Sequence, residues 1–220
     1  MGCARQRAGQ ALIRTGLLGG SFNPAHSGHR RISLFAAEAL GLDEVWWLVS
    51  PGNPMKPKAG MASLPVRLRS AQKVARRSII RPTAIEQQLG TRYTVDTLSK
   101  LSRQHPERRF IWLMGADNLA QFHAWKDWRR IARTMPIAVI ARPGYDAHAQ
   151  ASRAMSWFRG FVHPRATAGS WTKWRTPALV LLRFRPDRSS ATALRRHHPD
   201  WSSDFPNMAV RDPVTRRPVI

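Results

Sequence analysis

Three observations in the 220 residues predict an α/β fold with a doubly wound, Rossmann-like parallel sheet. Short apolar runs alternate with stretches of helical period. The runs are apolar throughout rather than at every second residue, as in strands buried on both faces. Several of the runs also end in glycine, proline or small polar residues, the composition of the ligand-facing carboxyl edge of such a sheet.

The first run, Leu17-Leu18, stops at Gly19-Gly20 and is followed by Ser21-Phe22-Asn23-Pro24-Ala25-His26-Ser27-Gly28-His29. Glycines let a backbone turn and approach a ligand, Asn-Pro makes a turn, and a helix expected from near Gly28 aims its N–H groups at whatever lies above the strand. This reads as a phosphate cradle formed by Gly19, Gly20, Ser21 and Phe22. His26 and His29 stand three apart, so both imidazoles can face one point above the first helical turn. Zinc is the rival ligand, but two histidines supply half of a usual shell and the one cysteine is Cys3, so no metal site is expected. The bland alternative is a glycine turn carrying two surface histidines.

The helix continues through Ile32, Phe35, Ala36, Ala39 and Leu40 to Gly41, and Glu44 to Ser50 is the next buried strand. The loop Pro51 to Lys58 is too rich in proline for helix or strand, and it places Lys56 and Lys58 past a strand's carboxyl end. Leu64 to Arg76 reads as a basic amphipathic helix, Ile79-Ile80 with Ala84-Ile85 as one or two short strands. Thr94 is placed to cap a helix running to about Gln104, with Asp96 in its first turn. Arg109 to Met114 is a strand that ends at Gly115, and Asp117-Asn118 suits a helix start. Trp125 falls on a loop where an indole can stack on a flat ring. Pro136 to Ala141 and Ala178 to Leu182 are the last two strands, and 145–176 shows no clear period. Ser190 and Thr192 then offer hydroxyls at a helix N-terminus, and Arg195 can fork onto a phosphate one turn on.

Length allows one domain at 16–200, after a basic lead-in at 1–15 and before a Pro/Arg-rich tail at 201–220. No apolar run is long enough to span a membrane, and a single cysteine fits a reducing cytoplasm. The net charge of +23 raises nucleic-acid binding as an alternative of a different class. The cations are spread from Arg5 to Arg217, however, so the charge reads as a solvated surface that also attracts small polyphosphates, and no nucleic-acid partner is expected. The sequence is compatible with a homo-oligomer as well as with a monomer. No Gly-x-x-x-x-Gly-Lys or Gly-x-Gly-x-x-Gly is present, which disfavours a P-loop enzyme and a dinucleotide dehydrogenase.

Gly20 to His29 resembles the Gly-x-Phe-x-Pro-x-His-x-Gly-His signature of the nucleotidyltransferases with a His-x-Gly-His motif. Ser190-Ala191-Thr192-x-Leu194-Arg195 is similar to their second signature, about 160 residues on and in the same order. Arg92-Tyr93-Thr94-Val95-Asp96-Thr97-Leu98 and Gly115 to Trp128 resemble the nicotinate-nucleotide adenylyltransferase branch. The resemblance covers roughly 16–200 and implies a nucleotidyltransferase fold joining ATP and nicotinate mononucleotide, with magnesium carried on the ATP phosphates. It further implies that His26, His29 and Arg195 act on the phosphates, and that ATP meets Gly19, Gly20, Ser21, Phe22, Lys56, Gly115, Asp117, Ser190 and Thr192. Thr94 then borders the nicotinate end and Trp125 stacks on the pyridine ring. The family's Pro-Pro-His-Lys segment has Met55 here in place of histidine, leaving Lys56 and Lys58 as alternatives. Related substrates, nicotinamide mononucleotide or phosphopantetheine, are the nearest alternatives.

Overall fold

The computed structural model describes residues 11–52, 60–141, 149–184 and 191–220. The sheet strands are β1 (Ile13–Gly20), β2 (Glu44–Val49), β3 (Ile80–Thr83), β4 (Arg108–Gly115), β5 (Ile137–Ala141), β6 (Val162–His163) and β7 (Leu179–Arg183). They form one sheet in the order β3-β2-β1-β4-β5-β7-β6, and every pairing is parallel. The chain winds outward from β1 in one direction through β2 and β3, then returns beside β1 at β4 and winds the other way. A crevice therefore opens above the carboxyl ends of β1 and β4, where open sheets of this kind bind ligands.

The helices are α1 (Ser27–Leu40), α2 (Leu64–Ala75), α3 (Ile85–Leu89), α4 (Thr94–Gln104), α5 (Ala116–Gln121), α6 (Trp128–Thr134), α7 (Arg153–Phe158) and α8 (Ala191–His197). The uninterrupted apolar run of β2 explains how they divide. Val45, Trp47 and Val49 enter the core under α1 and α2, whereas Trp46 and Leu48 enter the core under α4, α5, α6 and α7. Successive strand residues point to opposite faces, so a strand covered on both sides must be apolar throughout.

Several expectations need correction. Strand β1 begins at Ile13, so residues 13–15 belong to the sheet and not to the lead-in. Ala84-Ile85 is not a strand: β3 stops at Thr83 and Ile85 opens α3. The cause is a pair of hydrogen bonds, one near and one distant: the Thr83 hydroxyl accepts the Ile85 N–H at 3.1 Å, and the carboxylate of Asp212, 128 positions from Ala84, accepts the Ala84 N–H at 2.7 Å. Thr94 is the first residue of α4 and not its cap; Tyr93 holds the cap position in extended backbone. The unpatterned segment 145–176 holds α7, the short edge strand β6 and a run of tight turns at Arg165–Lys173.

Residues 201–220 fold against α2 and β3. A hairpin of β8 (Val210–Arg211) and β9 (Pro218–Val219) is anchored by fully buried Asp212, which also accepts the Thr83 hydroxyl and the N–H groups of Val214 and Thr215. Arg69 on α2 donates to the carbonyls of Pro206, Met208 and Ala209.

Candidate active site

The first signature sits on an aromatic seat. Phe22 is buried and stacks on Trp47 at 5.0 Å, and the His29 ring lies 4.8 Å from Phe22 and 5.9 Å from Trp47. Phe22 takes φ +46°, a left-handed conformation that strains a residue with a large side chain. Burial of its ring between Trp47 and His29 holds it there. Below them the Trp47 indole donates to the Ser33 hydroxyl, and that hydroxyl donates to the His29 carbonyl, each at 2.8 Å.

His26 precedes α1 in extended backbone and His29 lies in its first turn, which brings the two rings to 3.8 Å. His29 Nδ1 accepts the His26 backbone N–H at 3.2 Å, so the neutral His29 ring carries its proton on Nε2. Gly19 and Gly20 close β1 beside this group. The space that a Cβ on Gly19 would need is filled by the Trp112 indole, 2.6 Å away.

Arg195 joins the second signature to the first. Its guanidinium donates to the Asn23 carbonyl at 2.6 Å and reaches the Thr192 hydroxyl at 3.4 Å. A guanidinium carries five donors, so others remain for phosphate oxygens. Asn23 is a hub: its side chain also donates to the Gly60 carbonyl and accepts the Ala62 N–H, tying the cradle to the start of α2. Lys56, Lys58 and Ser190 lie outside the described residues.

A second cluster lies on the other side of the sheet. Thr94 opens α4, and Trp125 follows the turn after α5, half-buried and edge-on to Phe122 at 5.4 Å and Trp112 at 6.4 Å. Lys126 stands 4.3 Å over the Tyr93 ring and brings the two segments together. Behind Tyr93, the Thr97 hydroxyl is within reach of the Thr91 hydroxyl at 2.8 Å and of the Glu86 carboxyl at 3.3 Å. Burial raises the Glu86 carboxyl to about 7, against the opposing pull of hydrogen bonds with Thr97 and Ser50.

Between the clusters, Gly115 ends β4 and the Asp117 carboxylate, on the first turn of α5, lies against it. A cavity of about 360 Å³ adjoins this point at the carboxyl ends of β5 and β7, bordered by Ala116, Ala141, Leu181 and Arg183. A larger one, about 570 Å³, lies by Arg108, Arg109 and Pro136 at the opposite sheet edge and touches none of the singled-out residues. Among the described residues no three His, Cys, Asp or Glu side chains cluster as a metal site, and no helix is long and apolar enough to cross a membrane.

Reading the residues singly missed Asn23, Trp47 and Ser33 as parts of the site. The spacing of Trp47 gave it only a core role, and Asn23 only a turn.

Residues 17–197 match the family described as cytidylyltransferase-like. A protein of Erythrobacter litoralis named "Probable nicotinate-nucleotide adenylyltransferase" is 65% identical over 209 residues, 95% of this chain and 95% of that protein. A Parvibaculum lavamentivorans protein of the same name is 50% identical over 190 residues, 86% of this chain and 94% of its own. In structure, the Plasmodium falciparum nicotinic acid mononucleotide adenylyltransferase complexed with NaAD superposes with a TM-score of 0.61. At 15% identity over 84% of this chain and 83% of that one, it speaks to the fold.

Proposed function

From the premise that the chain belongs to the nicotinate-nucleotide adenylyltransferases, within the cytidylyltransferase-like family, we propose how its residues carry the reaction. The enzyme transfers the adenylyl group of ATP to nicotinate mononucleotide, giving nicotinate adenine dinucleotide and pyrophosphate, a step of NAD biosynthesis. An oxygen of the mononucleotide phosphate bonds to the α-phosphorus as the bond from that phosphorus to the bridging oxygen breaks. The attacking phosphate is already an anion at neutral pH, so no general base is required. What must be overcome is repulsion between anions and the charge growing on the leaving pyrophosphate, and both call for positioned positive groups.

His26 and His29 hold the α-phosphate and the bridging oxygen, with His29 Nε2–H as a donor. Arg195 and Lys56 or Lys58 neutralise the β and γ groups, and Ser190 and Thr192 orient them. Gly19, Gly20, Ser21 and Phe22 form the floor under the phosphates, while Gly115 and Asp117 border the nucleotide. Thr94 and Trp125 take the nicotinate end, the indole stacking on the ring. Magnesium enters as the ATP complex: imidazoles and guanidinium are poor partners for this hard cation, which prefers the phosphate oxygens it rides on. ATP and nicotinate mononucleotide are thus the partners, and the single cysteine suits work in the cytoplasm.

The observation that carries this reading is the bond from Arg195 to Asn23, which joins two residues 172 positions apart, one in each signature, at one sheet edge. The test is pyrophosphate release with ATP and magnesium, offering nicotinate mononucleotide and nicotinamide mononucleotide in parallel. Strong preference for the acid is expected. Equal use of the amide would move the chain to a neighbouring specificity, and no release with either would overturn the reading.

A further inference from the structure

Arg67 is a buried cation whose bonds meet at the phosphate-facing loops. Read from the sequence, it is one more basic residue on the amphipathic helix α2. In the fold it is 1% exposed. Its Nε donates to the Ala62 carbonyl at 2.9 Å, and its Nη1 donates to the carbonyls of Ser21 at 2.8 Å and Ser50 at 2.7 Å. Those carbonyls belong to the cradle after β1, the exit of β2 and the approach to α2. The Ser50 N–H donates to the Gly20 carbonyl at 3.0 Å, so one guanidinium clamps a connected set of backbone turns.

All three acceptors are neutral, and among the described residues no carboxylate pairs with Arg67. The Glu86 carboxyl, also near Ser50, is engaged with Thr97 and Ser50 instead. Arg67 also lies in the first turn of a 12-residue helix, where the unpaired N–H groups already favour negative charge. Desolvation lowers its pKa only to about 10, so it stays charged at neutral pH. A buried charge without a counter-ion is costly, and cations at a helix N-terminus add to the cost. An anion bound on the cradle offsets both.

We propose that Arg67 is a positioning residue for the adenylyl transfer: its guanidinium fixes the cradle, the β2 exit and the start of α2, and the bound polyphosphate serves as its counter-ion. This rests on the functional reading above. Arg67 itself stays beneath the backbone and acts on substrate through the loops it holds and through its field.

The test compares wild type, R67K and R67M in the full chain. ATP is titrated at saturating nicotinate mononucleotide, and the melting temperature is recorded with and without inorganic pyrophosphate. In R67M the KM for ATP should rise on the order of tenfold or more, with the KM for the mononucleotide changed much less. R67K retains the charge without the fork, so it should recover part of the ATP KM, and pyrophosphate should raise the melting temperature most in wild type, less in R67K and least in R67M. An R67M that melts lower yet keeps the wild-type ATP KM and pyrophosphate response would overturn the proposal and leave a structural role. R67K as impaired as R67M would overturn the charge argument. Wild type that releases no pyrophosphate would mean that the functional reading has failed, while the melting shift would still judge Arg67 as the partner of a polyphosphate.

Discussion

The two signatures meet at one sheet edge but are built in opposite ways. The first is embedded: Phe22 is 2% and His26 8% exposed, and His29 rests on rings whose positions are set by Trp47 and Ser33. The second lies on α8, which contributes no buried residue and reaches the first through the Arg195 guanidinium. The difference separates two demands. On the proposed roles, the groups placed around the reacting phosphorus are held by packing, whereas the Arg195 charge is carried by a more exposed helix and tied down by its hydrogen bond to the Asn23 carbonyl. Mutations in the two regions should then divide activity from stability differently.

The largest effect should come from R195A. Arginine groups that neutralise transferring phosphates are worth about a thousandfold or more in turnover. Because α8 has no fully buried residue and the Asn23 carbonyl freed by the change can be hydrated, the melting temperature should change little. Pyrophosphate-release kinetics beside thermal melts would decide this. A large fall in stability would break the comparison by making α8 part of the scaffold.

H29A should cost on the order of a hundredfold in turnover, the scale of one lost electrostatic contact. Unlike R195A it should also lower stability, since the His29 ring packs against Phe22 and Trp47. A folded H29A with wild-type turnover would remove this histidine from the mechanism.

G19A probes packing where the end of β1 backs onto the second cluster, on the opposite face of the sheet from the aromatic seat. The new methyl meets the Trp112 indole, and overpacking of this kind costs about 1 to 3 kcal/mol. Chemical denaturation of the variant would measure it; no loss would mean that Trp112 moves aside freely and that the face under the second cluster is softer than its burial suggests.

Much of this was legible in the sequence where the signal is local. The apolar run of β2 requires two covered faces, and the spacing of His26 and His29 brings their rings together because a helix starts between them. The signals missed are long-range hydrogen bonds to backbone carbonyls, which leave no period. Arg67 at its position in α2 looks like any solvated arginine, and only the fold shows three carbonyls around it. Asp212 likewise looks like an ordinary residue of a basic tail, although it turns the chain at Ala84 and so makes a helix of residues expected as strand. Local propensity gave way there to a partner 128 positions away.

The smallest effect concerns the second cluster, where a buried acid replaces the cations of the first. The Glu86 carboxyl is raised by burial from 4.5 to about 7. Below pH 4.5 it is protonated folded and unfolded alike, and burial costs nothing through this group. As pH rises from there to about 7, the unfolded chain ionises more readily than the folded one, so Glu86 progressively withdraws stability. E86Q keeps an acceptor for the Thr97 hydroxyl and removes the titration. The difference in stability, E86Q minus wild type, should therefore grow across pH 5 to 8 and level off above it, at about 1 kcal/mol once partial solvent access is allowed for. Melting curves of both proteins across that range isolate Glu86, because every other titrating group contributes equally to each. Parallel curves would show that the carboxyl is solvated in the folded state, and the second cluster would then be as open as α8.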